Sequence, residues 1–420
     1  MASDGIDPRQ RLVATSRLST EEAAARLGVK KETIYAYVSR GILGREKAVD
    51  GKASTFDPDE VDRLRRERVD GRPGRLEAAV TTSIAEVRDG YVAYRGTSIE
   101  QLAKEGVGYE RTAALLWDVP ESGPWLAPPD LVDAIGTSLA LLPPGANLID
   151  RLLTSTIVAS THDAFRHARD PMSAATSVRH LIAATVDAMA LRQTKGKAVS
   201  FKQTASIAER LWPRLTTAAR TNAHVLNTTL MLLADHGMAS STLAARIAAS
   251  TRGGPHAAII AGLGALNGPL HGAAGQAVHE LLVRAESDGV ESALSEVLRS
   301  HGRVPGIGHF VHRTSDPRFP LMMDALMQSS LSPKRLDVMR VVIEQTNERI
   351  AAPHNIDFSL GSFTYVAGMP ADSGELIFAI ARILGWTAHA LEEHEEAPLR
   401  FRPIGRYEAT RPRPAPGDFL

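Results

Sequence analysis

The chain has 420 residues, enough for two or three domains and a large buried core. Its 48 Lys and Arg residues balance 48 Asp and Glu residues, so the whole chain lacks the positive field of a bulk nucleic-acid binder. The absence of Cys excludes disulfides, thiol nucleophiles and Cys-ligated metal centres. Residues 1–10 contain no apolar leader segment, and residues 257–266 form an apolar run only about half as long as a membrane span. We therefore expect a cytoplasmic protein.

Composition also predicts the class of fold. Segments such as 179–192 are rich in Ala and Leu with interspersed charges, strand-like alternation is scarce, and aromatic residues make up only 5% of the chain. This pattern favours a mostly α-helical chain over a sheet-based nucleotide fold.

The first residues of the chain predict a helix-turn-helix. Ser19 and Glu22 have the spacing of a capping box and open a helix over 21–27, which Gly28 ends. A second helix is predicted over 32–40 after a short turn.

A wing and a third helix are predicted to follow. Asp50 and Gly51 suit the tip of a hairpin over 47–56, and Pro58 suits the first turn of a helix that continues to Val69.

The stretch LSTEEAAARLGVKKETIYAYVSRGIL, residues 18–43, resembles excisionase-like and MerR-like DNA-binding domains. The resemblance implies that the second helix enters a major groove of DNA. The residues that it places near bases or phosphates are Lys30, Lys31, Thr33 and Tyr37. Residues 1–75 hold 16 Lys and Arg against 13 Asp and Glu, a weak basic footprint, so a helical module for protein contacts remains the alternative.

A domain boundary is predicted at residues 71–74, where two Gly and a Pro interrupt any helix. The prediction is a helix-turn-helix module over 1–72 and a second domain over 73–420.

Three later stretches concentrate polar residues among helix-breaking neighbours. GPLHGAA carries His271 in a Gly-rich turn, and VPGIGH carries His309, with two arginines downstream that suit carboxylate or phosphate binding. HNIDF carries Asp357 between apolar residues, where burial would raise its pKa and suit it to act as a base. Each stretch alone is a weak signal.

Taken in order, these stretches resemble the citrate synthase family. Five landmarks agree over about residues 78–407, namely YRGTSIEQLA, ADHGMASST, GPLHGAA, VPGIGHFVHRTSDPR and HNIDF. The resemblance implies an all-α homodimer whose large helical domain carries a smaller inserted one. The implied bounds are about 73–273 with 364–420 for the large part and about 274–363 for the small part.

The resemblance also implies an activity, the condensation of acetyl-CoA with oxaloacetate to citrate and CoA through an enol. Asp357 would remove a proton from the acetyl methyl, His271 would stabilise the enol, and His309 would polarise the ketone of oxaloacetate. This division of roles is chemically sensible, because a carboxylate cannot deprotonate a thioester unless the developing oxyanion is stabilised. Acetyl-CoA would be a substrate, and no cofactor or metal is expected.

Further residues are implied to bind the substrates. Those matched to the carboxylates of oxaloacetate are His236, Arg318, Arg382 and Arg402, of which Arg402 would act across a dimer interface. Arg313 matches a contact to CoA phosphate.

Some residues depart from the family pattern. Gly237 and Ala239 replace polar residues after His236, and Phe310 stands beside His309. These changes leave open a 2-methylcitrate synthase that uses propionyl-CoA. The helix-turn-helix leaves open a DNA-binding regulator whose synthase-like domain senses a metabolite.

Two further patterns receive structural interpretations. The run 262–267 nearly matches GxGxxG but follows no predicted strand, so it predicts no nucleotide site. His309 and His312 stand three apart, and an acidic run over 392–396 lies beside His394, but neither has a metal-binding spacing. We expect the acidic run to be a solvated helix end.

Overall fold

The computed structural model describes residues 17–47, 54–69, 79–192, 200–268, 272 and 274–403. The chain divides into two compact units, Met1–Thr81 and Thr82–Leu420. The predicted linker at 71–74 lies outside the described residues. Helices make up 61% of the structure and sheet is minor, as composition predicted.

The first unit is a three-helix module with a small sheet. Its elements are β1 (Leu18–Ser19), α1 (Thr20–Leu27), α2 (Lys31–Ser39), β2 (Glu46–Lys47), β3 (Ser54–Phe56) and α3 (Pro58–Val69). The strands pair antiparallel in the order β1-β3-β2. The predicted hairpin tip at Asp50 and Gly51 lies outside the described residues, but the strands that flank it pair as a wing requires.

Local sequence explains where the first two helices begin and end. The Ser19 hydroxyl accepts from the Glu22 N–H and the Glu22 carboxylate accepts from the Ser19 N–H, which confirms the predicted capping box. Gly28 ends α1 in the left-handed region at φ 65°, where a side chain would be strained. Ile34 and Phe56 are fully buried in the core of this unit.

The second unit is built almost entirely from helices. Its strands are β4 (Ala85–Arg88), β5 (Tyr91–Tyr94) and β6 (Thr97–Ser98), which form one antiparallel sheet in that order. Its helices in the described part of the chain are α4 (Ile99–Lys104), α5 (Tyr109–Trp117), α6 (Pro129–Ala140), α7 (Leu148–His162), α8 (Pro171–Ala188), α9 (Ile207–Leu215), a 3-10 turn (Arg220–Asn222), α10 (Ala223–Leu232), α11 (Ser240–Ser250), α12 (Pro255–Leu266), α13 (Ala274–Asp288), α14 (Val290–His301), α15 (Arg318–Met327), α16 (Pro333–Arg349), α17 (Ile356–Val366) and α18 (Ser373–Glu395). In the residues that the structure describes, none of these helices is both long and apolar enough to cross a bilayer.

Helix α18 lies at the centre of this unit. It packs against several helices, among them α5, α11, α12 and α10. From Ser373 to Ala390 every side chain is buried, and most of these side chains are apolar, as expected of a helix inside a core. Two side chains of α5 anchor it to α18. The Tyr109 hydroxyl donates to the Ile380 carbonyl, and the Trp117 indole N–H donates to the Leu384 carbonyl.

Of the two glycines in the near-GxGxxG run, Gly262 serves this packing. Gly262 on α12 faces Trp386 of α18 so closely that an added Cβ would lie 2.6 Å from the indole ring. Gly264, two residues further on, is exposed and has no atom within 4 Å of an added Cβ. Helix α12 follows no strand, so the structure supports the rejection of a nucleotide-binding loop.

These two glycines form a matched pair for mutation. We expect Gly262→Ala to destabilise the protein by about 1–3 kcal/mol, because the rigid Trp386 ring cannot yield without disturbing its neighbours. Gly264→Ala should be neutral or stabilising by up to about 1 kcal/mol, since alanine is the better helix former. Thermal unfolding of both variants measures the difference. Equal melting temperatures would contradict the packing argument.

Candidate active site

One wall of the site is the turn after α10. The Tyr94 hydroxyl lies 3.1 Å from the carbonyl oxygens of Met231 and Leu232 and accepts from the Asp235 N–H. On the other side Gly385 of α18 donates to the Ala234 carbonyl, and an added Cβ there would lie 2.2 Å from the Asp235 carboxylate. The turn that carries His236 is therefore held between strand β5 and helix α18.

The close approach of α18 to the turn after α10 also sets the position of Arg382. Its Nε donates to the Leu233 carbonyl at 3.0 Å, and its guanidinium lies over the Phe378 ring at 4.6 Å. Only 1% of Arg382 is exposed, and burial lowers its pKa, although the Asp235 carboxylate opposes that effect. A buried cation is costly unless it is paired with an anion.

The opposite wall is the loop from 304 to 317, tied to the start of α17. Asn355 donates its backbone N–H to the Gly306 carbonyl and its side-chain amide to the Gly308 carbonyl. Gly306 has φ 74°, and an added Cβ would lie 2.7 Å from the Phe358 Cβ. Glycine is required there because the loop backbone touches the helix.

This loop presents His309 in one tautomer. Its Nδ1 accepts from the backbone N–H groups of Val311 and His312, both at 3.1 Å. Burial lowers the pKa of His309 to about 4, and the Arg318 charge acts in the same direction. The ring is therefore neutral at pH 7 and carries its hydrogen on Nε2, free to donate.

Arg318 begins α15 and is bound by a neighbouring carboxylate. Its Nε and terminal nitrogen donate to Asp316 at 2.9 and 2.8 Å, and the Ile356 N–H donates to the same carboxylate at 3.0 Å. Burial alone would favour the protonated acid, but the Arg318 guanidinium holds the pKa of Asp316 below its usual range. Both side chains are at most 2% exposed.

Asp357 lies in the first turn of α17, which Asn355 caps by accepting from the N–H groups of Asp357 and Phe358. Burial raises the pKa of Asp357 to about 6, and the Arg318 and Arg382 charges oppose part of that rise. Among the described residues the carboxylate makes no hydrogen bond. It is therefore a weakly solvated carboxylate with a pKa near neutrality, which suits a general base.

Five of the residues singled out in the sequence come together at this site: His236, His309, Arg318, Arg382 and Asp357. The rings of His236 and His309 lie 5.2 Å apart, and the charges of Arg318 and Arg382 both act on His236 and Asp357. Burial, with these two arginines, lowers the pKa of His236 well below its usual value.

Two other predicted site residues are not joined to this cluster, and a third, His271, lies outside the described residues. Arg313 and Arg402 are exposed, and no described contact links either to the cluster. The loop at Arg313 is anchored next to it, where Thr314 donates its N–H and hydroxyl to Asp89.

Sequence reasoning missed two carboxylates and one histidine of the site. Asp316 binds Arg318, Asp235 accepts from the Gly237 N–H at 2.7 Å, and His312 lies 2.9 Å from His236 between their Nε2 atoms. The DPR spacing is a signal for Asp316, because an acid two residues before a buried arginine can fold back onto it. Nothing local indicates that His236 and His312, 76 residues apart, would meet.

The expectation of a solvated acidic run was wrong for its first two members. Glu393 is fully buried and binds Arg246 and Arg400, and Glu392 binds Arg246 at 2.6 Å. Arg246 also donates to Nδ1 of His389, whose Nε2 lies 3.3 Å from Asp235. The first two carboxylates of the run are therefore paired with arginines and not hydrated. Through Arg246 and His389 they support the turn at Asp235.

Comparison with known proteins shows the class of protein to which this fold belongs. The family model described as citrate synthase, C-terminal domain, matches residues 75–408, and a helix-turn-helix domain model matches residues 17–69. Because the first match covers most of the chain, the chain belongs to the citrate synthase family.

Relatives and solved structures carry the same likeness. 2-Methylcitrate synthase 2 of Corynebacterium glutamicum is 27% identical over 77% of this chain and 90% of its own length, and citrate synthase of Synechocystis is 28% identical over 77% and 87%. 2-Methylcitrate synthase 1 of C. glutamicum is 34% identical over 44% of this chain, and there the match spans about half the relative's length. A Thermoplasma acidophilum citrate synthase, solved with carboxymethyl coenzyme A and oxaloacetate, shares the fold with a TM-score of 0.64 at 21% identity, over 83% of this chain and 97% of its own.

The raised pKa of Asp357 carries a stability prediction. In the folded protein the acid holds its proton more tightly than in the unfolded chain, so stability is full below pH 4 and is lost as the pH rises through 6. We expect Asp357→Asn to stabilise the protein by up to about 3 kcal/mol at pH 7.5 and by about half as much at pH 5.

Thermal or denaturant unfolding at the two pH values measures this gain. Asp324→Asn, which removes an exposed carboxylate on α15, is the control and should show no such trend. A destabilising Asp357→Asn at pH 7.5 would contradict the assigned pKa.

Proposed function

We propose that the chain is a cytoplasmic acyltransferase that condenses acetyl-CoA with oxaloacetate to give citrate and CoA. The observation that carries this proposal is one weakly solvated carboxylate, Asp357, within electrostatic reach of two buried arginines. One of these, Arg318, also acts on a neutral His309 that can donate from Nε2. A dianionic substrate and a carbon acid need these groups together.

Asp357 supplies the base. Its pKa of about 6 leaves it ionised at pH 7.5 yet more basic than an ordinary aspartate. It would take a proton from the methyl carbon of the thioester, and the electron pair of that C–H bond would form the enol. The resemblance assigns the stabilising hydrogen bond to His271, which the structure does not describe.

His309 and the arginines serve the second substrate. Arg318 and Arg382 would bind the carboxylates of oxaloacetate, and His236 would add a hydrogen bond. The Nε2–H of His309 would donate to the ketone oxygen, so the enol carbon attacks a polarised carbonyl and the new alkoxide is stabilised. Water then hydrolyses the thioester and releases CoA.

The acyl donor has a second candidate. Relatives with 27% to 34% identity carry the name 2-methylcitrate synthase, which favours propionyl-CoA as an alternative donor. The two donors differ by one methylene, worth about 1–3 kcal/mol in a pocket. Arg313 is proposed to bind the CoA phosphate from the exposed loop before α15.

A homodimer is part of the proposal. Ile157 on α7, Phe165 between α7 and α8, and Met172 at the start of α8 are each more than half exposed. Large apolar side chains left in solvent are typical of a subunit interface. Arg402 would complete the partner's oxaloacetate site across it.

A second role, DNA binding by the first unit, is favoured by the helix-turn-helix match and its structure. Lys30 is exposed at the start of α2, Thr33 and Tyr37 are half-buried along that helix, and Lys31 is paired with Glu21. Lys30 is therefore the better phosphate contact of the two lysines, and a DNA-binding regulator that senses a metabolite is the alternative function.

The base assignment predicts a loss of turnover. Asp357→Asn should lower kcat with oxaloacetate and acetyl-CoA by at least about 1000-fold, because the amide cannot accept the proton. Oxaloacetate binding should persist, since Arg318 and Arg382 remain. A thiol-release assay with acetyl-CoA and propionyl-CoA measures turnover and ranks the donors, with Asp324→Asn as the control. Unchanged turnover would refute the role of Asp357.

The DNA-binding role predicts a salt-sensitive complex. The intact protein should bind duplex DNA at low salt, and Lys30→Glu should weaken that binding about tenfold and lower its salt slope. Lys104→Glu, an exposed lysine of α4, is the matched charge control. Fluorescence anisotropy across salt concentrations measures both. A chain that binds no DNA at low salt would end this hypothesis.

A further inference from the structure

Three imidazole rings pack together at the proposed site. The ring centroids of His236, His309 and His312 lie 5.0 to 5.2 Å from one another. His236 and His309 are half-buried, whereas His312 is fully buried. His312 is therefore the ring behind the other two and does not face a substrate.

His312 contacts both of its neighbours. Its backbone N–H donates to Nδ1 of His309 at 3.1 Å, and its Nε2 lies 2.9 Å from Nε2 of His236. A single residue thus holds one nitrogen of each of the two rings that are proposed to bind oxaloacetate.

The hydrogen bond between Nε2 of His236 and Nε2 of His312 has a single hydrogen, which belongs to one of the two rings. Burial lowers the pKa of both His236 and His312, so both rings are neutral and each carries one N–H. If His312 donates from Nε2, His236 must carry its own hydrogen on Nδ1. If His236 donates, its Nδ1 is a bare acceptor, which would repel a carboxylate.

The environment of His312 favours the first arrangement. Its Nδ1 is buried and has no partner at hydrogen-bond geometry in the described part of the chain. The Arg88 backbone acts on the ring less than the Asp316 carboxylate does, and Oδ1 of Asp316 lies 4.0 Å from Nε2 of His312, which favours a hydrogen on Nε2. A buried lone pair without a partner is tolerated better than a buried N–H without one. Donation from Nε2 leaves the lone pair on Nδ1.

A metal site does not explain the cluster. Nδ1 of His309 is occupied by two backbone donors, and Nε2 of His236 and Nε2 of His312 are hydrogen-bonded to each other. In the part of the chain that the structure describes, no group of three or more His, Asp or Glu side chains is arranged to hold a metal ion.

We propose that His312 is a positioning residue which donates from Nε2 to His236 and so fixes His236 as the Nδ1–H tautomer that binds a carboxylate of oxaloacetate. The proposal rests on the proposed function for the identity of that ligand. The tautomer itself is a property of the free protein and is independent of any activity.

Three variants test the positioning role. His312→Leu removes the donor, and His312→Gln restores an N–H that can reach His236. His256→Leu serves as the control. It removes another buried histidine, which lies on α12 outside the cluster and has its Nδ1 3.8 Å from the carboxylate of Asp163.

The first readout is binding. We expect His312→Leu to raise the oxaloacetate Kd and KM about three- to tenfold, because a mixture of tautomers leaves only part of His236 in the form that binds, with the acyl-CoA KM within twofold. His312→Gln should recover most of that loss, and His256→Leu should show none. An oxaloacetate Kd that is the same in wild type and His312→Leu would overturn the proposal.

The second readout is the tautomer of His236, from nitrogen NMR of protein labelled at histidine. We expect one tautomer, Nδ1–H, in the wild type and a mixture in His312→Leu. A wild-type His236 protonated on Nε2 would overturn the proposal, even if the Leu variant fails to fold. Wild-type protein that binds no oxaloacetate would instead refute the proposed function, and the tautomer would still decide the positioning role.

Discussion

The contact between α18 and the turn after α10 is the constraint on which the site depends. Gly385 lets the helix backbone reach the Ala234 carbonyl, and any side chain there would strike the Asp235 carboxylate. The contact sets Arg382 against the Leu233 carbonyl and orients the backbone that carries His236. Because α18 is buried on every face, its position is in turn set by the whole helical core.

Burial and charge act against each other at Asp357. Burial raises its pKa, whereas the two arginines pull it down, and the result near 6 is a stronger base than an ordinary aspartate. The same burial makes the ionised acid unfavourable at neutral pH. The group that the proposed reaction needs is therefore one that the fold pays for in stability, as is common where function and stability conflict.

Different kinds of group fix the tautomers of His309 and His236. His309 is set in one tautomer by two backbone N–H groups, which any residues at 311 and 312 other than proline could supply. His236 depends on a side chain, that of His312, for the same purpose. Substitution at 312 is therefore expected to affect one ring and leave the other in place.

Local signals in the sequence were sufficient for the helices of the first unit. The capping box at Ser19 and the left-handed Gly28 act over one helical turn, so they can be recognised without the fold. The family resemblance singled out His236, His309 and Asp357, whose roles stay predictions, and the apolar neighbours of Asp357 predicted its raised pKa.

The tertiary structure alone decided the partners that act across long separations. Glu393 was expected in solvent but pairs with Arg246, 147 residues away, and His312 meets His236 across 76 residues. Charge and polarity in a sequence do not specify burial, because a group is solvated or paired according to what the rest of the chain packs against it.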